Sequence, residues 1–390
     1  MLAACAPVHP TAVDLADALG LVASVAVTAE EAVPPFANTA MDGYAVRAAD
    51  TAGAPVTLEV VGALAAGAVP DVDVGPRQAV RIMTGAPLPG GADSVVMVEL
   101  TEPGPGGSSV VVQEPVDAGQ SVRAAGSDLS PGDVVLDRGI VVGPGHLGVL
   151  ASLGIRRAPV YRRARVGVLS TGDELTEGPG PLRPGQIRDS NRPILLGLLR
   201  QAGCEAVDLG LARDDEDVIA ASLRLGVDQC DAVLTSGGVS VGDFDFVKTV
   251  LDRMGRMRWM QVAIRPAKPF AFGTVDGTPV FGLPGNPVSS MVSFELFARP
   301  ALRQMMGHTR IHRPRARAVA DEPLRRTPDG KVHFVRVVAA MGADGRYHVR
   351  SAGGQSSHQL AAMAAANALV VLPDGEGAPA GSDVDTMLLL

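Results

Sequence analysis

Apolar and polar positions change rhythm several times along this chain, and each change predicts a different kind of element. Between Thr11 and Ser24, Val13, Leu15, Ala16, Leu19 and Val22 recur at helical spacing among acidic residues, which predicts a helix. Thr11, three residues ahead of Asp14, offers a capping pattern at its start. From about residue 30 to 145 short β-branched runs take over: Val56–Val61, Ala79–Met83, Ser94–Glu99 and Val110–Gln113. Gly/Pro turns separate them, so the stretch predicts small twisted strands in a barrel-like module.

From about residue 163 strands and helices alternate. Arg165–Leu169 reads as a buried strand followed by the polar turn Ser170–Glu174. Arg192–Ala202 reads as a helix, Ala206–Leu209 as a strand, Asp215–Leu225 as a helix and Ala232–Thr235 as a strand. Phe246–Met254 reads as a helix, Val280–Leu283 as a strand, and Val288 to about Met306 as one long helix. This alternation predicts a doubly wound parallel α/β sheet, whose ligands bind at the loops after the strands' carboxyl ends. The polar, glycine-rich turns fall at those ends. His308–Arg317 reads as a basic linker. Beyond it, Arg315–Ala320, Val332–Val338, Tyr347–Arg350, Ala368–Leu372 and Asp383–Leu390 predict a separate β-module, interrupted by a short helix near Gln359–Ala365. No fixed-period repeat is present.

Composition narrows the function. A chain of 390 residues predicts two to four folded units. Aromatics at 3% argue against a base-stacking platform, and a net charge of −8 argues against a broad nucleic-acid surface. Lys248, Lys268 and Lys331 are the only lysines in an arginine-rich set of cations, which singles each of them out. Cys5, Cys204 and Cys230 have no CxxC spacing, so zinc and iron–sulfur sites are not expected. Their sparse, odd number fits a reducing, cytoplasmic setting. Leu2–Cys5 looks like a lipoprotein cleavage box but lacks the basic and apolar regions before it, and is read as chance. No run of about eighteen apolar residues predicts a membrane span.

Four constellations carry candidate chemistry. Ser170–Leu175 offers hydroxyls and backbone N–H groups to a phosphate, and Asp173 and Glu174 to Mg²⁺; the alternative is a turn with solvated acids. In Thr235–Asp245, Gly237 and Gly238 permit close backbone approach, Ser236 can donate, and Asp243 and Asp245 follow; the alternative is an ordinary loop. In Gly282–Ser290, Pro284 and Pro287 stiffen a helix N-terminus that carries Ser289 and Ser290, or simply form a rigid connector. In Ile264–Pro269, prolines hold Arg265 and Lys268 at fixed separation, as an oxyanion clamp or as a solvated face. The segments Asn38–Ala45, Arg81–Pro87 and Arg123–Asp128 are polar and glycine-containing, and by residue type alone Asp42 is a turn acid.

Taken together, MDGYA, TGAPLP, STGDEL, DSNRP, SGGVSVGD, RPAKPFAFG and GLPGNPVSS occur in order over residues 38–290, followed by Gly353–Ser357 and Ala365–Ala368. Nearly the whole chain thus resembles the molybdopterin molybdenumtransferase family, including the homologous domain of gephyrin-type proteins. The resemblance implies a multidomain α/β plus β fold: a split, elongated domain of residues 1–26 with 131–162, and a small β-rich domain at 27–130. It further implies a molybdopterin-binding doubly wound α/β domain at 163–307, of the kind found in the pathway's adenylyltransferase, and a C-terminal β-barrel at 308–390. It implies a homodimer that converts adenylylated molybdopterin and molybdate, with Mg²⁺, into molybdenum cofactor and AMP. Contact with the adenylyltransferase and with molybdoenzyme acceptors is implied as well. Carried over residue by residue, Asp42, Thr84, Asp128, Glu174, Asp214 and Asp245 match catalytic positions. Asp173, Glu174, Asp214 and Asp245 match metal positions. Ser236, Gly237, Gly238, Pro284 and Pro287 match substrate-binding positions, and Arg265, Lys268, Ser289, Arg336 and Ser356 the molybdate site. The chain departs from the family pattern at Arg265, where lysine is frequent, at Asp243, where glutamate is common, and at Gln355–Ser357. An adenylyltransferase and a non-catalytic scaffold are the rival readings.

Overall fold

The alternating segment forms a six-stranded sheet in the order Glu205–Ala212, Arg165–Thr171, Ala232–Ser236, Thr278–Leu283, Pro269–Val275, Arg256–Gln261. This is seen in a computed structural model that describes residues 1–238 and 246–389. The first four strands are parallel. The last two run antiparallel and were not read as strands from sequence. Their patterns explain this: Arg256 and Arg258 occupy exposed positions of an edge strand, and Pro269–Val275 follows directly on the proline-and-cation segment. Leu195, Leu199, Phe294 and Leu302 cover one face of the sheet, against Val166, Val168 and Phe281. Ile219, Leu223, Val247 and Leu251 cover the other, against Leu169, Val233 and Val280.

The long helix after Pro287 holds as a continuous run but changes pitch. Pro287–Ser293 leads into a π-turn, Phe294–Ala298, and then Arg299–Met305. Pro300 has no amide to return to the preceding turn, and a widened turn absorbs that loss.

The Thr11–Ser24 helix is not formed. Pro10–Asp14 is a strand paired antiparallel with Arg157–Tyr161, Leu15–Ala18 is a single helical turn, and Val22–Ala23 is another short strand. Gly20 adopts φ 78°, which ends the turn, and a strand partner far along the chain overrides the local helical spacing. Val27–Thr28 likewise pairs with Val134–Leu136. Between these pairings the chain makes an open sheet in the order Ser94–Met97, Gly43–Val46, Gln78–Ile82, Val56–Leu64, Ser109–Val112, Thr101–Pro103.

At the C-terminus Val332–Met341, Tyr347–Ser351, Arg315–Ala320, Asp383–Leu388 and Ala368–Leu372 pair in turn, and the last returns to the first. The result is a closed five-stranded barrel. Its interior is small or β-branched (Ala318, Ala339, Val337, Val349, Val370, Val384), as a narrow barrel requires. Ile264–Arg265 joins its edge in parallel with Val332–His333, which ties the barrel to the sheet unit. Among the described residues no helix is long and apolar enough to cross a membrane.

The expected linker is not free. Arg313 makes a buried two-pronged contact with Glu295 at 2.8 and 2.9 Å, and Arg303 Nη2 lies 3.1 Å from His308 Nδ1. Burial, and then Arg303 and Arg299, push the His308 imidazole down to about 4. A histidine freed by unfolding takes up its proton below about 6.5, so the unfolded state gains protons first as pH falls. This contribution to stability is therefore intact above pH 6.5 and lost progressively down to about 4, by roughly 2–3 kcal/mol. Urea melts at pH 7 and pH 4.5 should show His308→Gln losing less stability on acidification than the parent.

Candidate active site

The four parallel strands end in register: Thr171 lies beside Ala212, Ser170 beside Ser236, and Ser236 beside Leu283. The turns that follow therefore converge on one rim of the sheet, where a doubly wound fold exposes its binding groups. Asp173 N donates to Asp214 Oδ2 and Asp214 N to Asp173 Oδ1, both at 3.3 Å, so the two carboxylates face each other's backbone. The Glu174 carboxylate folds over Gly172: a Cβ on Gly172 would lie 2.8 Å from Glu174 Cδ. Gly237, at φ 96°, donates to Leu283 O at 3.1 Å and brings its backbone against Thr171.

Asn191 ties two of these turns together. Its Nδ2 donates to Ser236 Oγ at 2.7 Å and to Gly285 O at 2.6 Å. Asp189 accepts from Ser170 Oγ at 3.2 Å and from the amides of Asn191 and Arg192, and so starts their helix as a cap would. Arg192 bonds Asp189 and Asp208 and pairs with Glu177. Asp189, Asn191 and Arg192 were assigned no role from sequence. The signal was present in DSNRP, an acid just ahead of an apolar helix. Asn191→Ala should remove both bonds and leave the buried Ser236 Oγ without this partner. That costs about 1–3 kcal/mol, readable as a lower thermal midpoint.

Beside Asp173 opens a cavity of about 430 Å³, lined by Gly172, Thr176, Arg183, Gln186 and Arg213 among others. The paired carboxylates are oxygen donors of the kind Mg²⁺ prefers, next to open space for phosphate oxygens and water. Among the described residues no group of three or more acidic, histidine or cysteine side chains is gathered to hold a metal. The donor set fits an ion that takes one or two carboxylates and completes its shell from substrate. Asp243 and Asp245 lie outside the described residues.

A second cavity, of about 340 Å³, opens where the barrel meets the sheet unit. Arg265, Ala267, Lys268, Lys331, Gln355 and Ser356 line it. Val262 N donates to Lys268 O at 2.7 Å, and Ala267 sits at φ 80°, so the backbone of this loop is fixed while the Arg265 and Lys268 side chains stay exposed. Arg336 is wholly buried behind the wall, and its Nη2 donates to Gly354 O at 2.6 Å and to Ser356 O at 3.2 Å. Its Nε and Nη1 have no partner among the described residues. Gln355 is occupied by the Arg336 backbone at both ends of its amide and serves as wall. Ser289 is buried in the first turn after Pro287, and Val288 N donates to Ser357 O at 3.3 Å across the same wall. The structure thus brings Arg265, Lys268 and Ser356 to one cavity; Arg336 bonds the backbone of its wall, and Ser289 lies buried outside the lining. Lys331 was given no role from sequence, although the scarcity of lysine had marked it.

Asp42, Thr84 and Asp128 sit elsewhere. Asp42 Oδ1 accepts from Thr84 N and Thr84 Oγ1, both at 2.7 Å, and these bonds hold its carboxyl below the usual range. Asp128 lies on another exposed turn, its N donating to Val33 O. The hydrogen bonds these three make among the described residues stay within the β-rich segment, and none reaches the rim.

A doubly wound sheet with two acids interlocked on its rim, joined to a closed barrel across a cavity lined by cations, defines a multidomain α/β protein. Known family profiles match throughout: MoeA N-terminal region (domain I and II) over residues 1–154, probable molybdopterin binding domain over 167–304, and MoeA C-terminal region (domain IV) over 317–389. The chain belongs to the MoeA family of molybdopterin molybdenumtransferases. It is 42% identical over 385 residues to molybdopterin molybdenumtransferase 2 of Mycobacterium tuberculosis, covering 96% of this chain and 93% of that one. To the molybdopterin molybdenumtransferase of Haemophilus influenzae it is 41% identical over 349 residues, covering 88% and 85%. The crystal structure of the molybdopterin biosynthesis MoeA protein of Pyrococcus horikoshii superposes with a TM-score of 0.83 at 30% identity, covering 100% of this chain and 97% of that one.

Proposed function

We propose that this chain acts in molybdenum cofactor biosynthesis by inserting molybdate into adenylylated molybdopterin, with release of AMP. The observation that carries the reading is the cavity where Arg265, Lys268 and Ser356 converge, backed by the unpaired guanidinium atoms of Arg336. A small tetrahedral dianion needs cations and hydroxyl donors close together, and this cavity gathers both. The rim turns are the natural place for the diphosphate: Gly237 and Gly238 admit it to the backbone, and Ser236 is held by Asn191. Pro284 and Pro287 keep the turn between diphosphate and oxyanion rigid. Mg²⁺ held by one or two of the carboxylates at the metal positions Asp173, Glu174, Asp214 and Asp245 would neutralise the diphosphate oxygens and the departing AMP. Hydrolysis would form a bond from a water oxygen to one phosphorus and break that phosphorus's bond to the bridging oxygen, which leaves with the other, the water's protons passing to the phosphates or to solvent.

In this reading the chain works as a homodimer, and Asp42, Thr84 and Asp128 approach the rim of a second copy. The adenylyltransferase supplies the substrate and molybdoenzymes accept the product, in the cytoplasm. Incubation with adenylylated molybdopterin, Mg²⁺ and molybdate should give AMP release that depends on molybdate. Accumulation of adenylylated pterin from ATP and molybdopterin would favour the adenylyltransferase reading instead, and no turnover of either substrate would favour a scaffold.

A further inference from the structure

Asp329 is the one carboxylate paired with cations of the oxyanion cavity among the described residues. Its Oδ2 lies 3.0 Å from Lys331 Nζ and 3.8 Å from Arg265 Nη1. Its Oδ1 accepts from Arg326 Nη2 at 2.9 Å and lies 3.1 Å from His333 Nε2. Both oxygens are thus engaged, and the carboxylate cannot swing away. The turn that carries it is locked from behind. Asp329 N and Gly330 N each donate to the Asp374 carboxylate at 3.1 Å. Arg326, with its side chain almost fully buried, bonds Asp374 at 2.6 Å and the carbonyl oxygens of Lys331 and Pro373 at 2.8 Å. Parallel pairing of Ile264 with Val332 and of Arg265 with His333 then fixes the two cation-bearing segments side by side.

We infer that Lys331 is a third cationic ligand of the oxyanion cavity, and that Asp329 is a positioning residue that holds Lys331 and Arg265 pointed into it. This rests on reading the cavity as an oxyanion site. A lysine stem is long and loses much rotamer freedom when it is immobilised. A carboxylate that already tethers the ammonium removes part of that cost before the ligand arrives. One N–H of the ammonium serves Asp329, and two remain for the oxyanion. The lysine's ammonium, ahead of His333, holds the Asp329 carboxyl at about 2, so the tether persists at any working pH.

The test is calorimetric titration of the full chain with molybdate alone, together with steady-state kinetics. Lys331→Met should weaken molybdate binding roughly 10-fold, the loss of one charge-assisted hydrogen bond. Asp329→Asn should weaken it about 3-fold and raise the KM for molybdate, with kcat at saturating molybdate within about twofold of the parent. The double variant should bind little worse than Lys331→Met, because Asp329 acts largely through that lysine. Unchanged binding by Lys331→Met would overturn the ligand assignment. Tighter binding by Asp329→Asn would overturn the positioning role and make Asp329 a mere neutraliser of the cavity. If the parent itself takes up no molybdate while it still melts cooperatively, the oxyanion reading of the cavity fails, and this inference with it.

Discussion

Arg336→Met should weaken molybdate binding about 100-fold while leaving the thermal midpoint close to that of the parent. Among the described residues Arg336 is the largest wholly buried side chain, yet two of its three guanidinium nitrogens have no partner there. Burial pulls its pKa down, but a guanidinium starts so high that it stays charged. A buried cation left unpaired costs several kcal/mol, so its retention points to an anion that completes it. Methionine fills similar apolar volume without the charge. Relief of the buried charge then offsets the lost bonds to Gly354 O and Ser356 O, and the net change in stability should stay within about 1 kcal/mol. Arg336 does not itself line the cavity, so the 100-fold loss requires the Gly354–Ser356 wall to admit the oxyanion to Nε and Nη1, where two charge-assisted bonds at about 1.5 kcal/mol each account for it. Calorimetry and thermal melts separate the two effects: a large drop in the midpoint with unchanged affinity would make Arg336 structural.

Gly43→Ala should destabilise the β-rich segment by roughly 3 kcal/mol, an overpacking cost at the upper end of its usual range. Gly43 is paired on both sides, with Ile82 and with Met97. A Cβ there would overlap Val96 O and lie 2.9 Å from Val96 C and 3.2 Å from Met97 Cα, all backbone atoms with no rotamer to yield. Any shift of the strand also moves Asp42, its neighbour, away from Thr84. Gly53→Ala, with nothing within 4 Å of the added atom, is the matched control and should change little. Equal urea midpoints for the two variants would remove the packing explanation for the glycine of MDGYA.

The parts of this architecture that were legible in the sequence are those set by local pattern. Apolar runs between Arg165 and Leu283 alternate with helical segments, and each run ends in a polar turn, so the rim could be placed before any coordinates. Pairings between distant segments were not legible. Pro10–Asp14 is a strand only because Arg157–Tyr161 lies beside it, and the antiparallel edge Arg256–Gln261 exists only because Pro269–Val275 turns back along it. The cation cavity was half legible. Arg265 and Lys268 stand in one motif, whereas Lys331 and Asp329 arrive from the barrel through a pairing that no local pattern announces. Nor could residue type show that Asp42 is braced by Thr84, since the two are brought together by neighbouring strands.

The most direct check on the central claim is anomalous diffraction at the molybdenum edge from crystals of the protein soaked in molybdate. The account predicts a peak in the cavity between the barrel and the sheet unit, within hydrogen-bond reach of Arg265, Lys268 and Ser356. A peak found only on the Asp173–Asp214 rim, with solvent alone in that cavity, would contradict it.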